Sequence, residues 1–239
     1  MKRSRQHLLM LLFLLPSTLL LFNSCTGCSP SGRNRSRDKV INEVVRPSKG
    51  GANDNNLSTL YKNTCPGVLL IYTSTEEATL QGTGFFIASN GIAVSNYHVF
   101  KSTLVGKETV RTIDGTSYKI ERVLESNQNL DYIIFQLKDC HNNSFLRIAS
   151  NEPIIGEDLF AVGNPKGLEL TLSKGIASSF REGKNLIQTT TEITHGSSGG
   201  PLLNMKGEVV GITTSGYGEA NLNFAINIQK LNLKRFIRE

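Results

Sequence analysis

From residue 67 nearly to its C-terminus the chain never holds one apolar face for long, because short apolar or alternating runs are cut repeatedly by turn residues. The runs fall at 68–72, 79–87, 92–95, 119–125, 132–137, 158–162, 170–178, 185–193, 207–214 and 221–226. Asn90-Gly91, Asp114-Gly115, Asn164-Pro165 and Lys206-Gly207 punctuate them. Period-two alternation bounded by such dipeptides reads as strand, since alternate side chains face one side of a sheet. About ten short strands predict an all-β protein of antiparallel barrels or a sandwich. Leu57, Leu60 and Tyr61 have helical spacing and predict a short amphipathic turn ahead of the first strand. Residues 229–238 alternate apolar and basic side chains and predict a terminal helix.

The first 56 residues are of another kind. Lys2, Arg3 and Arg5 precede an apolar run from Leu8 to Phe22, then Asn23-Ser24-Cys25. A basic start, a short apolar stretch and a small residue before the break compose an export signal over residues 1–24. The run is too short, and Pro16 too central, for a membrane-spanning helix. Cys25 after Phe22-Asn-Ser resembles a bacterial lipobox, which implies acylation of Cys25 and an anchor facing the periplasm; secretion without an anchor is the alternative. Cys25 and Cys28 also spell CxxC, but neither a second ligand pair nor a helix start follows, so a redox or zinc site is not expected there. Residues 25–56 are rich in Ser, Arg, Asn, Gly and Asp and predict a flexible polar tether, with an r.m.s. reach of roughly 30 Å.

The formal charge of +6 comes entirely from these segments, because residues 57–239 hold seventeen basic and seventeen acidic side chains. Net charge therefore gives no support to a nucleic-acid partner. Cys65 and Cys140 are the only cysteines of residues 57–239, and the sequence leaves open whether they pair. His141 beside Cys140 lacks further ligands around it, so no metal and no cofactor are expected.

Three segments carry chemistry. In the first, Gly82-Thr-Gly-Phe-Phe-Ile-Ala-Ser-Asn-Gly-Ile-Ala-Val-Ser-Asn-Tyr-His98, two strands flank an Asn-Gly turn and deliver a histidine to a strand end. In the second, Asn129-Leu-Asp131-Tyr-Ile-Ile-Phe, a carboxylate sits beside an apolar run. Burial there is costly unless its oxygens receive hydrogen bonds, for which an imidazole N–H is suited. In the third, Gly196-Ser-Ser198-Gly-Gly-Pro201-Leu-Leu-Asn, glycines let the backbone turn tightly around a serine, and the apolar continuation reads as strand rather than the helix of a phosphate loop. A serine becomes a nucleophile only with a base to take its proton and donors to hold an oxyanion. His98, Asp131 and Ser198 supply the first need; the N–H groups of Gly196 and Ser198 supply the second. The order His, Asp, Ser is one of several solutions to this triad.

On these segments the chain resembles trypsin-like proteases of the HtrA/Deg type over most of residues 57–229. Leu159-Phe-Ala-Val-Gly-Asn-Pro-Lys-Gly-Leu, Gly175-Ile-Ala-Ser, Val209-Val-Gly-Ile-Thr-Thr and Asn223-Phe-Ala-Ile-Asn extend the likeness. The resemblance implies two six-stranded antiparallel barrels of the chymotrypsin kind, dividing near residue 150, and serine endopeptidase activity on protein or peptide substrates. It also implies substrate-binding roles for Glu192, His195, Thr213, Thr214 and Ser215, and a place in envelope protein quality control or processing. Two departures bear on regulation. Ser197 stands where digestive trypsins carry an aspartate, and the Ile-Val-Gly-Gly start is missing, so activation by an N-terminal ion pair is not expected. The chain also ends about ten residues after Ile228, so a PDZ domain is not expected. Glu192 would favour basic residues in a trypsin-like register; in an HtrA-like register small aliphatic residues are favoured, and this is the reading adopted. A catalytically silent, lipid-anchored binding protein on the same scaffold, or a structural envelope lipoprotein, are the readings from other classes.

Overall fold

The computed structural model describes residues 56–237 apart from 76–77, 102, 104–105, 165–169 and 218–221, with the side chains of 215–217 also left aside. The signal, the tether and Cys25 lie outside the described residues. Helix α1 (Leu57–Thr64) opens the domain, capped by the Asn56 side chain, which accepts the Ser58 N–H at 3.0 Å. Strands β1 (Val68–Ser74), β2 (Thr79–Phe86) and β3 (Ile92–Ser95) follow, then a single helical turn, α2 (Tyr97–Phe100). Next come β4 (Thr109–Arg111), β5 (Ser117–Tyr118), β6 (Ile120–Asn127) and β7 (Tyr132–Leu137).

These strands form one antiparallel sheet in the order β5-β4-β1-β2-β3-β7-β6. Its two edge strands are consecutive in the chain, separated only by Lys119, whose carbonyl accepts the Lys138 N–H at 2.9 Å. Taken as one strand bent at Lys119, β5 and β6 reduce the count to six and turn the sheet back on itself. The β4–β5 hairpin turns at Asp114-Gly115, with Gly115 at φ 86° and the Asp114 carboxylate accepting from the Thr112 hydroxyl and the Thr116 N–H.

The second lobe comprises β8 (Asp158–Gly163), β9 (Thr171–Arg181), β10 (Leu186–Thr189), β11 (Pro201–Asn204), β12 (Val209–Tyr217) and β13 (Leu222–Asn227). They close into a barrel in the order β10-β13-β12-β11-β8-β9, with β9 pairing back to β10. The expected strand over 185–193 is cut to four residues. The register shifts after Gln188, and the Thr189 hydroxyl bonds to the Ile176 carbonyl and to Thr191, which turns the chain out of the ladder.

Each lobe has its own core, Leu69, Ile71, Phe86 and Phe135 in the first and Leu159, Ala177, Ile187 and Leu202 in the second. A third, larger cluster joins them through Phe85, Val94 and Ile134 on one side and Phe160, Val162, Ile212 and Ile226 on the other. This shared core fixes the lobes against each other and hence positions the groups at their junction. Leu60 of α1 and Leu231 and Leu233 of the last segment also enter it. The expected terminal helix is corrected here: the segment consists of two 3₁₀ turns, Ile228–Lys230 and Leu233–Arg235. Burial of Ile228, Leu231 and Leu233 sets a spacing no α-helical face has, and Asn232 at ψ 67° breaks the turns apart. Cys65 and Cys140 are free thiols buried in separate clusters, and burial pushes both above the usual thiol range. Among the described residues no helix is long and apolar enough to cross a membrane.

Candidate active site

His98 sits in α2, the turn that begins as soon as β3 ends. The turn is tied to the loop before β7. Asn96 is fully buried and donates through Nδ2 to the Asp131 carbonyl at 2.9 Å, and the Tyr97 N–H donates to the same oxygen at 3.1 Å. The Asn127 carboxamide oxygen accepts the N–H groups of Asn129 and Leu130, both at 2.9 Å, which folds the chain into a tight turn just ahead of Asp131. Asp131 itself has φ 55°, a conformation costly for a non-glycine residue and maintained by its surroundings.

The Asp131 carboxylate accepts three hydrogen bonds. Oδ1 takes the His98 backbone N–H at 2.9 Å; Oδ2 takes His98 Nδ1 at 2.7 Å and the Thr214 hydroxyl at 2.8 Å. Burial pushes this carboxyl up, but the bonds from His98 and Thr214 outweigh it and hold the group below the usual carboxylate range. An ionised carboxylate can only accept, so Nδ1 carries the proton of that bond. Nε2 of the neutral ring then keeps its lone pair, and no described residue is bonded to it. His98 remains 45% exposed, which leaves this nitrogen open to an incoming molecule.

The serine loop is built from backbone. Gly196 and Gly199 have φ 95° and 88°, accessible without strain only to glycine. A Cβ on Gly199 would lie 2.2 Å from both Ser95 Oγ and the Thr83 carbonyl. The carbonyls are nearly all engaged: Thr194 O accepts the Ser197 N–H, Ser197 O accepts the Gly200 N–H and the Thr213 hydroxyl, and Ser198 O accepts the Thr83 N–H at 2.8 Å. The Gly196 carbonyl accepts the Thr83 hydroxyl at 2.6 Å. By contrast, the N–H groups of Gly196 and Ser198 meet no acceptor among the described residues.

His98, Gly196 and Ser198 line one cavity of about 360 Å³, together with Leu80, Val99 and His195. The expected imidazole–carboxylate bond is therefore present, and the serine faces the same space. Its hydroxyl, however, donates to the Thr214 carbonyl at 3.0 Å rather than to His98. Glu192 is exposed and lines a second cavity of about 270 Å³ with Ser173, Thr194, Ser197 and Thr213. The Thr213 side chain is turned inward, 1% exposed, and braces the serine loop. The Thr214 hydroxyl is committed to Asp131. Ser215 pairs through its backbone with Phe224, just after a bulge that begins at Thr213.

Sequence reasoning gave Thr83, Asn96 and Asn164 no part in the site. Thr83 and Asn96 lay inside the first chemical segment, where a threonine between two glycines and an asparagine two before the histidine were the only signals to find.

The profile of the trypsin-like peptidase domain matches residues 82–212, a span that contains all three segments. The chain is 37% identical over 164 residues to a probable serine protease do-like of Buchnera aphidicola subsp. Acyrthosiphon pisum, covering 63% of this chain and 34% of that protein. It is 35% identical over 176 residues to a probable periplasmic serine endoprotease DegP-like of Chlamydia muridarum, covering 68% and 34%. The chain thus spans about a third of the length of the curated relatives it matches. Among solved structures, the serine endoprotease from Yersinia pestis superposes with TM-score 0.66 at 26% identity, over 72% of this chain and 62% of that one.

Proposed function

Since the chain belongs to the trypsin-like peptidase family, we propose that it is a serine endopeptidase using His98, Asp131 and Ser198. One observation carries the reading: an imidazole already bonded to a carboxylate opens its free nitrogen onto the cavity that a glycine-flanked serine lines. In the proposed reaction a substrate carbonyl enters this cavity and the Ser198 hydroxyl leaves the Thr214 carbonyl by rotating about Cα–Cβ. His98 Nε2 takes the hydroxyl proton as Oγ attacks, and the carbonyl oxygen, now an oxyanion, receives the N–H groups of Gly196 and Ser198. The imidazolium returns the proton to the leaving amine, and the acyl-enzyme forms. Water then attacks the acyl carbon as His98 accepts its proton, and the intermediate collapses with the carboxylic acid released and the proton returned from His98 to Ser198 Oγ. Asp131 stabilises the imidazolium and fixes the tautomer throughout.

The likeness to proteins described as periplasmic supports an exported, envelope location, with protein or peptide substrates. The finer assignments, lipid attachment at Cys25, a role in envelope quality control or processing, and small aliphatic residues before the cut, complete the proposal. The decisive test is labelling with a fluorophosphonate, followed by peptide-library profiling. The labelled residue is expected to be Ser198, and Ser198→Ala is expected to lose both labelling and cleavage while keeping its melting profile. A folded wild-type chain that resists the probe and cleaves nothing overturns the proposal and favours a binding protein on this scaffold.

A further inference from the structure

Among the described residues, Thr83 is where the first lobe hydrogen-bonds the serine loop on both sides of Ser197. Strand β2 has β1 along one edge, and β3 covers the other edge only from Gly84 onward. At Thr83 that second edge is left without a strand, and the serine loop fills it: the Thr83 N–H donates to Ser198 O at 2.8 Å. The side chain, fully buried, does the rest. Its hydroxyl oxygen accepts the Asn164 N–H at 3.1 Å and Asn164 Nδ2 at 3.2 Å. Both partners there are donors, so the single hydroxyl proton goes to the remaining partner, Gly196 O, at 2.6 Å.

We propose that Thr83 is a positioning residue for the oxyanion hole, its hydroxyl and its N–H clamping the peptides that follow the two donor residues, Gly196–Ser197 and Ser198–Gly199, so that the serine loop keeps the conformation that leaves both donors unpaired. The inference rests on the peptidase reading above. Gly196 has no side chain, lies at φ 95° and has no acceptor for its N–H among the described residues; the peptide that follows it is pinned at both ends, its carbonyl by Thr83 and its Ser197 N–H by Thr194 O at 2.9 Å, and the glycine pivots on that anchored peptide. A flip of the Gly196–Ser197 peptide breaks the 2.6 Å bond. One residue of the first lobe thereby anchors the loop just after each proposed donor, at Gly196 O through its hydroxyl and at Ser198 O through its N–H. Loss of an oxyanion donor lowers turnover by roughly 10²–10³-fold, and a donor left in place but loosely aimed falls short of that.

The test crosses the two groups on the threonine Cβ. Thr83→Val keeps the shape and removes the hydroxyl; Thr83→Ser keeps the hydroxyl and removes the methyl. Each full-length variant is assayed for cleavage of a peptide amide and for binding of a peptidyl aldehyde, whose hemiacetal oxygen occupies the oxyanion hole. Thr83→Val is expected to lower kcat by roughly 10–100-fold with KM within about threefold, and to weaken aldehyde binding by the same factor as kcat/KM. Thr83→Ser is expected to stay within about threefold of wild type in both. A Thr83→Val chain that keeps wild-type turnover and aldehyde affinity overturns the proposal, as does a folded Thr83→Ser chain that loses both, which points to packing. If Thr83→Val does not fold, the serine variant alone decides on the same criterion. A wild-type chain that neither labels at Ser198 nor cleaves overturns the peptidase reading itself, an outcome distinct from an active enzyme indifferent to Thr83.

Discussion

The two halves of the site are made of different materials. The first lobe contributes side chains: a carboxylate with three donors and an imidazole aligned by it, on loops knotted together through Asn96, Tyr97 and Asn127. The second contributes backbone: a loop with two glycines at positive φ, nearly all its carbonyls engaged and two N–H groups without an acceptor among the described residues. The charged half is settled before any substrate arrives, because a partly buried carboxylate must be satisfied in the resting protein. The backbone half can keep its donors unpaired at the edge of an open cavity, where water can meet them. Polar groups are thus fixed where charge resides and held in reserve where charge will develop.

Ser198→Ala is the harshest test of this division, removing the nucleophile from the backbone half without touching the charged one. Turnover is expected to fall by roughly 10⁴–10⁶-fold. The melting temperature should stay within a degree or two, since the hydroxyl makes a single bond, to Thr214 O. A large loss of stability would mean that the serine is part of the scaffold that holds its own loop.

Asp131→Asn attacks the other half. The carboxamide presents an N–H or an oxygen to Nδ1 and destabilises the working tautomer, so kcat is expected to fall by about 10³–10⁴-fold. The same variant tests the charge state. The Asp131 carboxyl lies below its ordinary value of 3.8 in the folded protein. A depressed carboxylate stabilises the fold above its unfolded value and loses that contribution as pH falls through the folded one. Urea unfolding should therefore show wild type more stable than Asp131→Asn at pH 7, with the gap narrowing below about pH 4. A gap constant with pH would locate the effect in packing.

Gly199→Ala probes the backbone half by steric force. The added Cβ would meet the Thr83 carbonyl and Ser95 Oγ at 2.2 Å, on a residue at φ 88°. A loss of about 3 kcal/mol or more in unfolding free energy is expected, with turnover at least about tenfold down in what remains folded. Thr214→Val, which spares the fold and removes one of three donors from Asp131, should cost about tenfold in kcat with little change in KM. If its effect matched Asp131→Asn, the hydroxyl rather than the imidazole would be what settles the carboxylate.

Much of this was readable along the chain, and the exceptions share a cause. Strands β3 and β7 begin and end where the apolar runs Ile92–Ser95 and Tyr132–Leu137 predict, because turn chemistry flanks them closely. His98 and Asp131, 33 residues apart, are joined as the chemistry of a buried carboxylate demands. Strands β4 and β5 escaped because three and two residues are too few to show a period, although their turn, Asp114-Gly115, stood out. The last segment departs from the helix its sequence predicts because its apolar spacing is set by the shared core rather than by a helical face. Thr83 and Asn164 are marked locally only by flanking glycines and by a following proline, which say nothing of a place in the site. Their value comes from partners 113 and 81 residues away, and only the closed fold brings these together. The resting bond from Ser198 to Thr214 O is likewise a rotamer choice, invisible to any spacing rule.

The smallest expected effect concerns what holds the two halves in register. Arg235 of the terminal segment pairs with Glu125 of β6, which also accepts the Tyr132 hydroxyl at 2.5 Å. The guanidinium is about half exposed and lies over the Phe236 ring at 4.8 Å. Exposed pairs contribute about 0.2–1 kcal/mol, so Arg235→Ala should lower the unfolding free energy by less than about 1 kcal/mol and leave kcat unchanged. The lobes are joined mainly through Phe85, Phe160, Ile212 and their neighbours, an apolar contact that a rim charge neither makes nor breaks. Were Arg235→Ala instead to depress turnover, the relative placement of carboxylate and serine loop would depend on the terminal strap, and the two halves of the site would be less independent than their different construction implies.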